Sequence, residues 1–380
     1  MKVAYLIPSL QEPSGWRSHS IAFLRHICEH VQPVLLVARQ DAAQAGRLFP
    51  EFPLHILPAT QQAAPGSPRQ WASLMSGFSA LRNLSVQGVD IVHSLEAYPT
   101  GLLGNWLARR LRCPHVLTAH GTYGVVWVEN AIDRRIYARV LEQASLVCPV
   151  SNGTADLMRR YFGAALGKTR MLPILNGNEF TRRVPASEAY IRTPADQPLL
   201  LSVGEVKPRK GYHTSLAAFA LLKAQMPEAR YAIIGAQRPG AYLARLQQFV
   251  QDARLADVHF LGAVPADILD QHYRQARLFW LTPEQQGLHF EGFGLVYLEA
   301  GAYGLPVIGT RSGGVADAIR HAETGYLVEP GDAQGAAAAA LRLLQDPALA
   351  QEMGASNRRW AETLTWERNA QEYAQAYRSL

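Results

Sequence analysis

Short apolar runs rich in β-branched residues recur along the chain, separated by stretches whose apolar positions follow a helical period. Val3–Ile7 predicts a strand, a polar turn from Pro8 to Gly15 follows, and Ser18–His30 predicts a helix. Val34–Ala38, Leu54–Leu57, Ile91–His93 and His115–Thr118 predict further strands, with Trp71–Val86 and Gly101–Leu111 as helices among them. Leu146–Val150 is the next strand, ending in Ser151-Asn152-Gly153-Thr154, with a helix through Phe162 and a short strand at Thr169–Pro173. Asn176-Gly177-Asn178 is a tight turn. Pro58–Arg69 reads as a loop, and the polar Thr181–Pro198 stretch as a linker. The pattern then restarts. Strands at Leu199–Val203, Tyr231–Gly235, His259–Leu261 and Leu278–Leu281 alternate with helices at Tyr212–Gln225, Tyr242–Arg254 and Ala266–Gln275. Such alternation predicts parallel sheets covered on both faces, hence two successive α/β halves.

At 380 residues the chain exceeds what one core usually organises, which agrees with two domains. An apolar fraction of 48% with 18% charged residues excludes a disordered chain. No apolar run reaches the ~18 residues a membrane span needs. Pro8 and polar residues directly follow the first apolar run, so it reads as a core strand and not as a signal peptide. Cys28, Cys113 and Cys148 lie in or beside apolar segments without metal-ligand spacing, and predict reduced thiols in a cytosolic protein. The net charge of +6 is uneven. Residues 1–190 hold 19 Lys and Arg against 12 Asp and Glu, leaving 18 against 19 in the remainder. Arg109, Arg110, Arg112, Arg134, Arg135 and Arg139 make the first half arginine-rich. That suits either solvated helix faces or attraction to an anionic surface or acceptor. No nucleic-acid motif accompanies the charge, so nucleic acid is not expected as a partner.

The chemistry concentrates in His289–Thr310, HFEGFGLVYLEAGAYGLPVIGT. Glu291 and Glu299 stand eight positions apart around a Gly-Phe-Gly turn, after which Leu295–Ala302 predicts a helix and Pro306–Ile308 a strand. Glycines let the backbone approach a ligand, and the helix start offers free N–H groups to an anion. Glu299 lies a turn and a half inside the helix, roughly 8 Å along its axis. One carboxylate can thus meet each end of an elongated ligand with anionic groups between, the shape of a sugar nucleotide.

This stretch resembles the E-x7-E motif of the retaining glycosyltransferases of family 4. The resemblance covers most of the chain and is strongest from Leu199 to Pro330, through Gly313-Gly314, Thr324-Gly325-Tyr326 and Glu329-Pro330-Gly331-Asp332. It implies the GT-B fold, two Rossmann-like domains facing each other across a cleft. It also implies that Glu291 and the backbone of Phe293, Gly294 and Leu295 hold sugar and phosphates, and that Glu299 holds the ribose. His120, in Thr118-Ala119-His120-Gly121, matches the family's histidine at the sugar end. Gly15 matches one glycine of a pair whose backbone approaches the diphosphate, with Ser14 in place of the other. In GEVKPRKG, Gly204 to Gly211, the cations Lys207, Arg209 and Lys210 fall between a strand end and a helix start, suited to neutralising a diphosphate leaving group. Glu205 stands where the family usually has arginine, which leaves open whether Lys207 or Arg209 supplies the missing charge or the site works with one cation fewer. Gly163–Thr169 is not a phosphate-binding P-loop, because its glycines are one residue too close and a strand follows Lys168.

No Asp-x-Asp and no clustered carboxylates or histidines suit Mg²⁺ or Mn²⁺, so metal-independent transfer without a cofactor is expected. A side-chain nucleophile of the double-displacement kind is not evident. Similar enzymes are thought to use a front-face route in which the leaving phosphate oxygen takes the acceptor proton. The expected organisation is an acceptor domain over residues 1–185, joined by a C-terminal helix near 366–380, and a donor domain over 186–365. The expected function is transfer of a hexose from a UDP- or GDP-sugar to a glycan or lipid-linked acceptor in surface polysaccharide assembly. Such an enzyme would be cytoplasmic, with peripheral contact to the inner membrane face through its basic half. A non-catalytic nucleotide-sugar-binding protein of this fold is the alternative, against which Lys210, Glu291 and Glu299 together speak. A Rossmann oxidoreductase would carry a G-x-G-x-x-G that is missing.

Overall fold

The computed structural model describes residues 1–10, 15–58, 67–84, 86–185 and 197–380. Ser14, most of the Pro58–Arg69 loop and most of the Thr181–Pro198 linker lie outside the described residues. The chain divides into two compact units, Met1–Gly177 with Trp366–Leu380, and Asn178–Thr365.

In the first unit the strands are β1 (Lys2–Leu6), β2 (Gln32–Ala38), β3 (Leu54–Leu57), β4 (Ile91–Ser94), β5 (His115–Ala119), β6 (Leu146–Pro149) and β7 (Arg170–Met171). The helices among them are α1 (Gly15–Ile27), α2 (Ala42–Leu48), α3 (Pro68–Asn83), α4 (Thr100–Leu111), α5 (Ala131–Gln143) and α6 (Asn152–Leu166). All strand pairs are parallel, in the order β3-β2-β1-β4-β5-β6-β7. Both faces are buried, so alternate residues of one strand enter different cores. Val3 and Tyr5 join the core that also holds Leu35 and Val37, while Ala4 and Leu6 join that of Val34 and Leu36. This is why the strands read as unbroken apolar runs.

The second unit contains α7 (Phe180–Arg183), β8 (Leu199–Val203), α8 (Tyr212–Lys223), β9 (Arg230–Ile234), α9 (Ala241–Asp252), β10 (Val258–Gly262) and α10 (Ala266–Gln275). It continues through β11 (Ala276–Trp280), α11 (Leu295–Ala302), β12 (Val307–Thr310), α12 (Val315–Ala318), β13 (Gly325–Val328), α13 (Ala333–Gln345) and α14 (Pro347–Thr363). Its six strands are again all parallel, in the order β10-β9-β8-β11-β12-β13. Local chemistry sets the helix starts. Asn130 accepts from the N–H of Ile132 and Asp133 at α5, Ser151 caps α6, Asp332 caps α13, and Asp346 caps α14 ahead of Pro347.

The change of unit falls at Gly177–Asn178, before the linker. Asn178 Nδ2 donates to the carbonyls of Ala361 and Leu364, at 2.8 and 2.5 Å, which ties this point to the end of α14. The buried Arg358 guanidinium holds the carbonyls of Thr181 and Val184 at 3.0 and 2.8 Å, fastening α7 to the same unit. The last helix, α15 (Trp366–Arg378), returns to the first unit. Trp366, Ala370, Tyr373 and Tyr377 join its core. A buried polar network secures them. His93 Nδ1 meets the Tyr377 hydroxyl at 2.7 Å, His93 Nε2 meets Thr118 Oγ1 at 2.8 Å, and Thr118 meets the Tyr373 hydroxyl at 2.9 Å.

Candidate functional site

In each sheet the strand order reverses once, between β1 and β4 and between β8 and β11. Connections leave such a point in opposite directions, opening a crevice at the carboxyl ends of the strands, where parallel sheets bind ligands. In the second unit the loops meeting there are Gly204–Gly211, after β8, and Leu281–Gly294, after β11. These carry the cations and the first carboxylate of the motif. Pro208–Lys210 form a 3₁₀ turn that brings Arg209 and Lys210 round together. Gly211, at φ +69°, closes the turn against the Thr282 carbonyl, and a Cβ there would come within 1.6 Å of that oxygen.

Lys210 Nζ lies 2.5 Å and Arg209 Nη1 2.9 Å from Glu291 Oε2. The Glu291 side chain is only 13% exposed. Burial alone would raise its pKa, but the Lys210 ammonium and the Arg209 guanidinium more than offset that and hold the carboxyl down at about 2. Lys210 shifts downward, because burial and the neighbouring cations outweigh the Glu291 charge. Lys207 points elsewhere, to Glu205 Oε2 at 2.5 Å, and Glu205 also faces Arg238 at 3.4 Å. The position where the family has arginine thus occupies Lys207, while Arg209 joins Lys210. Sequence reasoning missed Glu284. Its N–H donates to the Arg209 carbonyl at 2.9 Å, and its carboxylate takes the Thr214 hydroxyl at 2.6 Å and faces His213 Nε2 at 3.2 Å, so it fastens the two loops together.

Gly294, at φ +93°, turns the chain into α11, and no side chain caps that helix start. A Cβ on Gly294 would come within 2.7 Å of the Tyr297 ring. Phe293 is buried beneath the turn and Leu295 opens the helix. From across the sheet edge, the Gly314 N–H donates to the Glu291 carbonyl at 2.8 Å. Glu299 sits farther along α11, apart from this charged group. Burial raises its pKa to about 7, while the Tyr273 hydroxyl and the Arg183 charge pull it the other way.

His120 and Gly15 belong to the first unit. His120 follows β5, and its Nε2 lies 3.0 Å from the Leu95 carbonyl. A carbonyl only accepts, so Nε2 carries the proton and Nδ1 is left with a lone pair. Burial lowers the pKa of this imidazole to about 4 against the opposing carbonyl contact, so it is neutral at physiological pH. The buried His19 ring stands edge-on to it with centroids 4.5 Å apart. Gly15 is the first residue of α1. In the loop after β4, the buried Glu96 accepts from Thr100 Oγ1 at 2.5 Å, and burial raises its pKa to about 8.

Glycosyltransferase family models match both halves. One described as "Glycosyltransferase Family 4" covers residues 15–174, and one described as "Glycosyl transferases group 1" covers residues 186–360. A GDP-mannose-dependent alpha-(1-6)-phosphatidylinositol monomannoside mannosyltransferase of Mycolicibacterium smegmatis is 30% identical over 286 residues, 74% of each chain. This chain is a group 1 glycosyltransferase of family 4. A D-inositol 3-phosphate glycosyltransferase of Thermobispora bispora is 32% identical to it over 82% of this chain and 75% of that one. The glycosyltransferase also shares its whole fold with Anabaena HepE, solved in complex with UDP. The TM-score is 0.76 with both chains fully covered, at 20% identity. The fold is GT-B, each unit a Rossmann-like domain.

Among the described residues of the glycosyltransferase, no group of three or more His, Cys, Asp or Glu could hold a metal ion. No described helix is long and apolar enough to cross a membrane. Its three cysteines are free thiols.

Proposed function

We propose that the protein transfers a hexose from a UDP- or GDP-sugar, with retention at the anomeric carbon, to a glycan or lipid-linked acceptor. The observation that carries this reading is the Lys210–Arg209–Glu291 group beside the uncapped start of α11. Two cations held by one buried carboxylate are pre-oriented, so they cost little reorganisation when negative charge develops on a departing diphosphate. Glu291 and the Phe293–Leu295 backbone then take the sugar and phosphates, Glu299 the ribose hydroxyls, and neutral His120 a sugar hydroxyl through its Nδ1. The family resemblance assigns these roles, and the M. smegmatis relative's use of GDP-mannose and the Anabaena structure's UDP support the donor class.

Transfer is metal-independent in this reading, because Lys210 and Arg209 supply the charge that Mg²⁺ or Mn²⁺ would bring. EDTA leaves activity intact, and abolition reversed by Mn²⁺ would overturn it. The first unit is read as the acceptor domain. Its exposed Arg134 and Arg135 follow Ile132, 61% exposed, in the first turn of α5, a combination suited to an anionic lipid surface on the cytoplasmic side. Incubating the purified protein with a panel of nucleotide sugars, while following thermal stabilisation and nucleotide release, tests the proposal. Stabilisation by several nucleotide sugars with no turnover on any glycan or lipid-linked acceptor would favour the non-catalytic alternative.

A further inference from the structure

Tyr273 belongs to α10, and its ring is fully buried, stacked on Tyr303 with centroids 4.8 Å apart and planes 7° from parallel. Phe279 lies against it as well, at 6.2 Å. Its hydroxyl makes no hydrogen bond of ordinary geometry to any group among the described residues. A buried hydroxyl left so is costly, and protein interiors rarely leave one without purpose. Glu299 precedes Tyr303 by one helical turn, so its carboxyl lies on the face that the stacked Tyr273 ring covers.

Polar groups on the neighbouring elements are engaged elsewhere. Tyr303, just past the end of α11, gives its hydroxyl to Asp270 at 2.7 Å, and Asp270 is paired with Arg274 at 2.6 Å. On α14, Arg358 is taken by Glu362 at 2.7 Å and by backbone carbonyls. Arg183 on α7 acts on Glu299 as a charge. Tyr273 is the neutral donor that acts on this carboxylate, on a ring held by its stack with Tyr303.

We propose that Tyr273 is a positioning residue for nucleotide binding, its hydroxyl donating to the Glu299 carboxylate as that carboxylate takes the ribose hydroxyls. This rests on the assignment of Glu299 to the ribose. The bond fixes the orientation of a carboxylate that would otherwise turn freely between its ligand and its pocket. It also favours the ionised form, which burial disfavours.

Binding of free UDP and GDP, followed by calorimetry from about pH 5.5 to 8.5, tests this in the wild type, Tyr273→Phe, Glu299→Gln and the double variant. Phe keeps the stacked ring and removes only the hydroxyl. Tyr273→Phe weakens binding about three- to tenfold near neutrality, the span of one hydrogen bond. The pH at which affinity falls away also moves upward, and adding Tyr273→Phe to Glu299→Gln costs nothing more. Wild-type affinity at every pH in Tyr273→Phe overturns the inference. So does an equal loss at all pH values accompanied by a lower melting temperature, which marks a packing role. Unchanged binding in Glu299→Gln removes the ribose assignment itself, whereas weakened Glu299→Gln with unaffected Tyr273→Phe removes only the role of Tyr273.

Discussion

The two units repeat one architecture, yet the polar groups at their sheet edges differ in kind. In the second unit the loops after β8 and β11 meet in a fixed charged group, Lys210 and Arg209 on Glu291. In the first unit the loops after β4 and β5 carry groups that burial keeps neutral, His120 with its pKa near 4 and Glu96 with its pKa near 8. Burial acts in the same direction on both carboxylates, and only the presence of cations reverses the outcome at Glu291. The same scaffold therefore carries a fixed charged group in one unit and neutral groups in the other. In the reading proposed above, the first meets the diphosphate and the second the sugar.

The sharpest way to break the contrast is Lys210→Ala. Removing one pre-oriented cation costs about 10²–10³ in turnover, measured with saturating donor sugar. A folded, fully active variant would detach the charged group from catalysis. Glu291→Gln comes next. Turnover falls more than free-nucleotide affinity, because the carboxylate is assigned to the sugar and because Lys210 and Arg209 lose the group that orients them. Equal losses in both quantities would make Glu291 a structural anchor.

Glu96→Gln tests the neutral edge. The folded pKa of Glu96 lies above the value near 4.5 of a free carboxyl, so its stabilising effect is complete below that value and is lost as pH rises through about 8. Glutamine cannot ionise, so the variant gains on the wild type by an amount on the order of a few kcal/mol between pH 5 and 9, read by denaturant unfolding. A constant difference across that range would show that Glu96 does not titrate there. The smallest effect belongs to Lys207→Ala. Lys207 is half-exposed and spent on Glu205, so turnover changes by about twofold or less, the worth of an exposed ion pair. A loss comparable to that of Lys210→Ala would mean that Lys207 leaves Glu205 when donor binds.

The strands and most helices were legible because parallel strands covered on both faces leave continuous apolar runs, as β1, β2 and β8 do. The Leu295–Ala302 helix and the turn before it were legible for a related reason, since Gly294 answers a steric demand made by Tyr297. The choice between Lys207 and Arg209 was not legible. It depends on how far the 3₁₀ turn at Pro208–Lys210 rotates successive side chains, and on a Glu205 that could have faced either way. Glu284 and Tyr273 were hidden for another reason. A glutamate in a loop and a tyrosine on a helix have no local signal, and their importance comes from partners 70 residues or more away in Thr214, or across a helix pair in Glu299. The point where the units part was displaced from the polar linker because Asn178 and Arg358 make bonds that composition does not reveal.

The return of α15 to the first unit imposes an order on synthesis. Tyr373 and Tyr377 complete the hydrogen bonds of His93 and Thr118, yet they leave the ribosome only after all of Asn178–Thr365 has been made. At about 5–20 residues per second the first unit waits on the order of 10–40 s with its His93 side open. The second unit, continuous in the chain, can close first. A chain ending at Thr365 would then hold a protease-resistant second domain behind a first domain that is still being cut.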